Sequence, residues 1–137
     1  MKADKKQDYM NDKEKRFSFT ERLKSFRYAF NGITDLIRYG HNFRIHIVIL
    51  LAVIPAGIIL RISITEWMAI VFVSALVLVS EGFNTSLEHL SDAISTESNE
   101  KLKRAKDVAA AAVLISALAA VITGLMIFVP ELIELFA

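Results

Sequence analysis

The chain has 137 residues, 54% hydrophobic and 23% charged, with a mean hydropathy of +0.44, an apolar balance that soluble domains of this length rarely show. It has no cysteine, which excludes disulfides, thiolate metal sites and cysteine nucleophiles. Sixteen Lys and Arg against fifteen Asp and Glu leave a net charge of +1, too balanced for a nucleic-acid binder, and neither a P-loop nor a GxGxxG phosphate loop is present.

Residues 1–16 are polar and lack the apolar run of a signal peptide, so a disordered tail is expected ahead of a single domain over 17–137. Ser18 and Glu21 have capping-box spacing. Phe19, Leu23, Phe26, Phe30, Ile33 and Ile37 follow at alternating steps of four and three. They predict an amphipathic helix over 18–39, with Arg22, Lys24, Arg27 and Arg38 off the apolar stripe. Such a helix suits a membrane surface.

Three runs without Asp, Glu, Lys or Arg come next, over 45–60, 67–80 and 108–130. The last has 23 residues and passes the length of about 20 needed to cross a bilayer. The first two are joined only by Arg61-Ile-Ser-Ile-Thr-Glu66, room for a tight turn. The expected fold class is therefore all-α and integral to a membrane, with spans near 43–60, 66–94 and 104–128. Residues 1–46 hold eleven Lys and Arg, one lies in the 61–66 turn, four lie in 91–107 and none follows the third span. The positive-inside rule then puts the N-terminus and the second loop in the cytoplasm, and the short turn and C-terminus outside.

The second span carries the chemistry. At about 100° per residue, Glu81, Asn84, Glu88 and Asp92 share an arc of about 80°. Ionisable groups at membrane depth are costly and mark a bundle interior, a cavity or an ion path. Lys106 and Asp107 open the third span just before Ala109–Ala112, a small-residue run that permits close helix approach. Carboxylates and an amide suit Mg²⁺, a lysine neutralises phosphate, and a further carboxylate accepts a proton from an alcohol. An ion or proton path needs similar residues, so this chemistry leaves two alternatives open: a phosphotransferase and a small ion or proton-coupled carrier.

The segments Glu81-x-x-Asn84-Thr85-Ser86-x-Glu88-x-x-x-Asp92 and Ala105-Lys106-Asp107-x-Ala109-Ala110-Ala111-Ala112-Val113, with three spans, resemble the small prokaryotic diacylglycerol kinase family, which includes undecaprenol kinases. The resemblance covers about residues 17–130. It implies a homotrimeric lipid kinase of the bacterial inner membrane that uses ATP and Mg²⁺ to phosphorylate diacylglycerol or undecaprenol, with active sites between subunits and no nucleic-acid partner. Carried over residue by residue, it implies Glu81 as the catalytic base with Asn84 positioning the reacting groups. Glu88 becomes the metal ligand, Lys106 and Asp107 contact the nucleotide, and His89 and Asp92 border it.

One position departs from the pattern. Aligned on Asn42-Phe43, Gly40 stands where the family carries a further metal-binding glutamate. His41, Asp35 or a water is expected to fill that role, with a higher Mg²⁺ requirement, unless the chain is an inactive scaffold.

The charge distribution makes a topological prediction. A single cysteine introduced as Ser98→Cys is expected to resist a membrane-impermeant thiol reagent in intact cells and to react after permeabilisation. Labelling from outside would invert the assignment.

Overall fold

The computed structural model describes residues 18–94 and 99–137; the tail expected over 1–16 lies outside them. The described residues form four helices: α1 (Phe19–Tyr39), α2 (His41–Ile59), α3 (Ile64–Ile94) and α4 (Glu100–Phe136). The chain divides into two compact units, Met1–Asp35 and Leu36–Ala137.

Within the first unit α1 starts where the sequence predicts. The Glu21 N–H donates to Ser18 Oγ at 3.4 Å, satisfying one of the orphan donors of the first turn. Phe19, Leu23, Phe26, Phe30 and Ile33 are all exposed along the expected stripe.

In the second unit α1 ends and α2 begins across one residue. The Gly40 N–H still donates to the Leu36 carbonyl at 2.9 Å, while the Gly40 carbonyl accepts from the Arg44 N–H at 3.2 Å. The turn from α2 into α3 is equally short. Ile62 N–H donates to the Gly57 carbonyl and Arg61 N–H to the Ile58 carbonyl, a Schellman closure with Arg61 at φ 56°. A non-glycine residue there costs about 1–2 kcal/mol. At Gly57 the Trp67 ring comes so close that a Cβ would lie 2.8 Å from it, so glycine lets the start of α3 lie against α2.

A reciprocal capping box fixes the first turn of α3. Glu66 Oε2 accepts from both the N–H and the hydroxyl of Ser63, each at 2.7 Å, and the Glu66 N–H donates back to Ser63 Oγ at 3.4 Å. At the other end Asn99 Oδ1 caps α4, accepting from the N–H groups of Lys101 and Leu102.

Three helices, α2, α3 and α4, are long and apolar enough to cross a membrane. At 1.5 Å per residue α2 is about 28 Å long, matching the hydrocarbon core, while α3 and α4, at about 46 and 55 Å, exceed it. The third span is longer than expected: α4 runs from Glu100 to Phe136 rather than over 104–128. Pro130 lies inside it even though its ring removes one N–H donor of the helix, and Leu132, Ile133 and Leu135 continue the apolar character.

α3 packs against both neighbours and along the length of α4. Its buried residues Ile70, Val77, Asn84 and Ser91 recur every seven positions, and Ala109 and Ser116 of α4 keep the same step. The turn end of this seam is apolar, built on Ile62, Ile70 and Ile127. The opposite end buries Glu81, Asn84, Thr85 and Ser91.

Ser63→Ala removes the hydroxyl and with it two of the three bonds of the capping box, leaving the Ser63 N–H on Glu66 Oε2. The expected loss is about 1 kcal/mol, read as a lower midpoint of thermal unfolding in detergent. An unchanged midpoint would show that the turn is held by Trp67 packing and the remaining bond.

Candidate active site

Glu81 and Asn84 are 3% and 6% exposed, so the polar stripe begins inside the helix seam. Asn84 Nδ2 donates to Glu88 Oε1 at 3.4 Å, one turn along the same helix. That commits the amide donor and leaves Asn84 Oδ1 buried with no hydrogen-bond partner; Glu81 Oε2 is in the same condition. Glu88 is half-buried and Asp92 exposed, so the stripe climbs from the interior to the surface over about 16 Å of helix.

Two neighbours complete the arrangement. From α2, Asn42 lies within hydrogen-bonding reach of the Glu81 carboxylate and His46 lies close enough to act on it electrostatically. From α4, Lys106 Nζ forms an ion pair with Asp92 Oδ1 at 3.2 Å, across fourteen residues of sequence. The structure thus brings Glu81, Asn84 and Glu88 together and ties Lys106 to the outer end of the same stripe. Asp107 and His89, also expected near the nucleotide, are exposed and join none of these polar contacts.

Asn42 and His46 are the contributors that the sequence did not place beside Glu81. Their signal was there in outline: two polar residues four apart on one face of an otherwise apolar span. Which helix that face meets is a tertiary matter.

The donor set fits a hard cation. The Glu81 and Glu88 carboxylates and Asn84 Oδ1 are oxygen donors, and two of these buried oxygens, Glu81 Oε2 and Asn84 Oδ1, lack hydrogen-bond partners. Among the described residues no three His, Asp or Glu side chains group closely enough to hold a metal by themselves. Mg²⁺ is bound in just that manner, by one or two carboxylates with water and substrate phosphates as the remaining ligands.

A sequence profile described as prokaryotic diacylglycerol kinase matches residues 27–128, a range that contains the whole stripe together with Lys106 and Asp107. The chain belongs to this family. It is 37% identical over 123 residues to an undecaprenol kinase of Bacillus subtilis (strain 168), covering 90% of this chain and all of that protein. It is 40% identical over 114 residues to a diacylglycerol kinase of Synechocystis sp. (strain ATCC 27184 / PCC 6803 / Kazusa), covering 82% of this chain and 65% of that one. The protein is a lipid kinase and an integral membrane protein. Family membership decides the choice that the residues alone left open between phosphotransfer and ion transport.

Gly40, where the resemblance leads one to expect a further carboxylate, is buried at the junction of α1 and α2. A Cβ there would lie 2.6 Å from the Leu36 carbonyl oxygen and 3.1 Å from Phe43 Cβ. The nearest obstacle is backbone, which cannot rotate aside, so a side chain requires the helix junction to open. Gly40→Glu, which the sequence alone would treat as a simple restoration of a ligand, carries this steric cost as well.

Gly40→Ala isolates that cost. It is expected to destabilise the protein by about 1–3 kcal/mol in thermal unfolding, in line with overpacking at a closed site. The Mg²⁺ dependence of Gly40→Glu is then read against Gly40→Ala. Full stability of the alanine variant would mean that the junction yields freely.

Proposed function

We propose that the protein transfers the γ-phosphoryl group of ATP, with Mg²⁺, to the hydroxyl of a membrane lipid alcohol, giving the lipid phosphate, ADP and a proton. The observation that carries this reading is the buried group of Glu81, Asn84 and Glu88, with two unpartnered oxygens, at the charged end of an apolar hairpin. That position lets a water-soluble nucleotide and a bilayer-dissolved hydroxyl reach the same carboxylates.

Glu81 is the general base, placed where little water competes for its oxygen. Glu88 and Asn84 Oδ1 hold the metal, whose positive charge offsets that of the phosphates when bound. Lys106, oriented by Asp92, faces the phosphates from α4, with Asp107 and His89 at the exposed nucleotide rim. The positive-inside distribution supports a cytoplasmic N-terminus and an active site on the cytoplasmic face of the inner membrane, where ATP is available.

A homotrimer accompanies this reading. The described part of one chain does not by itself group three metal-ligating side chains, and its helices expose apolar faces that include Val71, Phe72, Leu118 and Val121. Neighbouring copies are proposed to close the site from outside. Undecaprenol is the favoured acceptor, since the relative matched over its entire length carries that activity in its name.

The deciding experiment is a kinase assay on purified protein in lipid bilayers, with ATP and Mg²⁺, offering undecaprenol and diacylglycerol in parallel. Phosphorylation of undecaprenol at the higher kcat/KM is expected, and phosphorylation of neither lipid would overturn the reading. Glu88→Gln keeps size and removes charge, so turnover is expected to fall about a hundredfold or more with the unfolding midpoint retained. Near-normal turnover would remove Glu88 from the site.

A further inference from the structure

Glu81 is buried, and the Asn84 amide three residues along the same helix is already committed to Glu88. The side chain that reaches the Glu81 carboxylate comes from another helix: it is Asn42 of α2. Oε2 of that carboxylate keeps no hydrogen-bond partner. The acid is thus approached from one side and left open at one oxygen.

The place of Asn42 is set by its neighbours in the chain. The Gly40 carbonyl accepts from the Arg44 N–H, so α2 starts directly after α1, and Phe43 beside Asn42 is buried. Asn42 therefore sits in the first turn of a helix whose backbone is anchored at Gly40 and Phe43. His46 follows one turn along the same face and also lies near the acid. Asparagine is short, so an amide on this helix is aimed by the backbone more than by its own torsions.

Resting on the lipid-kinase reading above, we infer that Asn42 is a positioning residue for the general base: its amide N–H holds one oxygen of the Glu81 carboxylate and turns the free Oε2 toward the acceptor hydroxyl. Glutamate is long and its two carboxylate oxygens are equivalent, so an unheld Glu81 presents either oxygen over a range of directions. A donor on a second helix fixes one oxygen, and thereby the other, before the substrate arrives. In the transfer Oε2 takes the hydroxyl proton as the lipid oxygen bonds to the γ-phosphorus. The bond from that phosphorus to the β–γ bridging oxygen breaks, ADP leaves, and the proton passes on to water. Asn42 touches none of the reacting atoms.

The competing explanation is that Asn42 is only a polar residue suited to the start of α2. The two roles differ in what they demand of the side chain. The first turn of α2 has no acid, and an aspartate there suits the helix dipole and matches asparagine in size. A purely structural role therefore tolerates Asn42→Asp. A positioning role does not, because aspartate exchanges the donor for a second negative charge facing Glu81.

Kinetics are measured in bilayers with ATP, Mg²⁺ and the better of the two lipid alcohols. Asn42→Ala and Asn42→Asp are each expected to lower kcat at least about tenfold, with KM for ATP and for lipid and the unfolding midpoint held. Asn42→Gln, which keeps the donor, is expected to recover part of the rate. In the Glu81→Gln background Asn42→Ala is expected to cost nothing further, since no base is left to aim. Wild-type kcat in Asn42→Asp, or equal losses from Asn42→Ala with and without Glu81→Gln, overturns the inference and leaves the kinase reading standing. A drop in the unfolding midpoint of both variants in step with the loss of kcat makes Asn42 a packing residue and also overturns it. A wild type inactive on both lipids fails the kinase reading itself.

Discussion

Two long helices in a bilayer gain little from apolar burial, because the surrounding lipid is as apolar as their side chains. α3 and α4 are held instead by close approach of small and polar residues, Ala109 and Ser116 on one side and Asn84, Thr85 and Ser91 on the other, with Ile70 and Val77 continuing the same heptad step, and by the Lys106–Asp92 ion pair. This seam places the rest. It buries Glu81 at a depth where a carboxylate is expensive, and the compensation comes from outside the seam, with Asn42 and His46 of α2 turned toward the acid. A helix that served only to span the membrane would have no reason to carry that cost.

The two ends of the hairpin are built differently because they do different work. At the turn, a Schellman closure, a capping box and the Trp67 ring over Gly57 lock α2 to α3 around Ile62, Ile70 and Ile127. At the far end the polar stripe grows steadily more exposed from Glu81 to Asp92, and an ion pair to Lys106 spans the helices. One end is thus closed by local backbone and packing contacts, and the other is polar and open.

Gly40 shows how a local backbone demand and a chemical one can compete for a single position. The sequence leads one to expect a carboxylate there by resemblance alone. The one-residue junction between α1 and α2 leaves a Cβ only 2.6 Å from the Leu36 carbonyl oxygen. In this chain the residue at that position is the one the close packing of the junction tolerates.

The spans, their order and the helical face shared by Glu81, Asn84, Glu88 and Asp92 were legible in the sequence, because they follow from run length and a 100° step, both local properties of the chain. The cap at Ser18 was legible for the same reason. The reach of α4 through Pro130 to Phe136 was not, since proline reads as a stop signal although it costs a helix only part of one turn's bonding. Nor was the partition of the stripe into a buried Glu81 and an exposed Asp92, the pairing of Asp92 with Lys106, or the approach of Asn42 and His46 to Glu81. Those depend on which faces of three helices meet and how closely, and periodicity assigns residues to a face without saying what that face will touch.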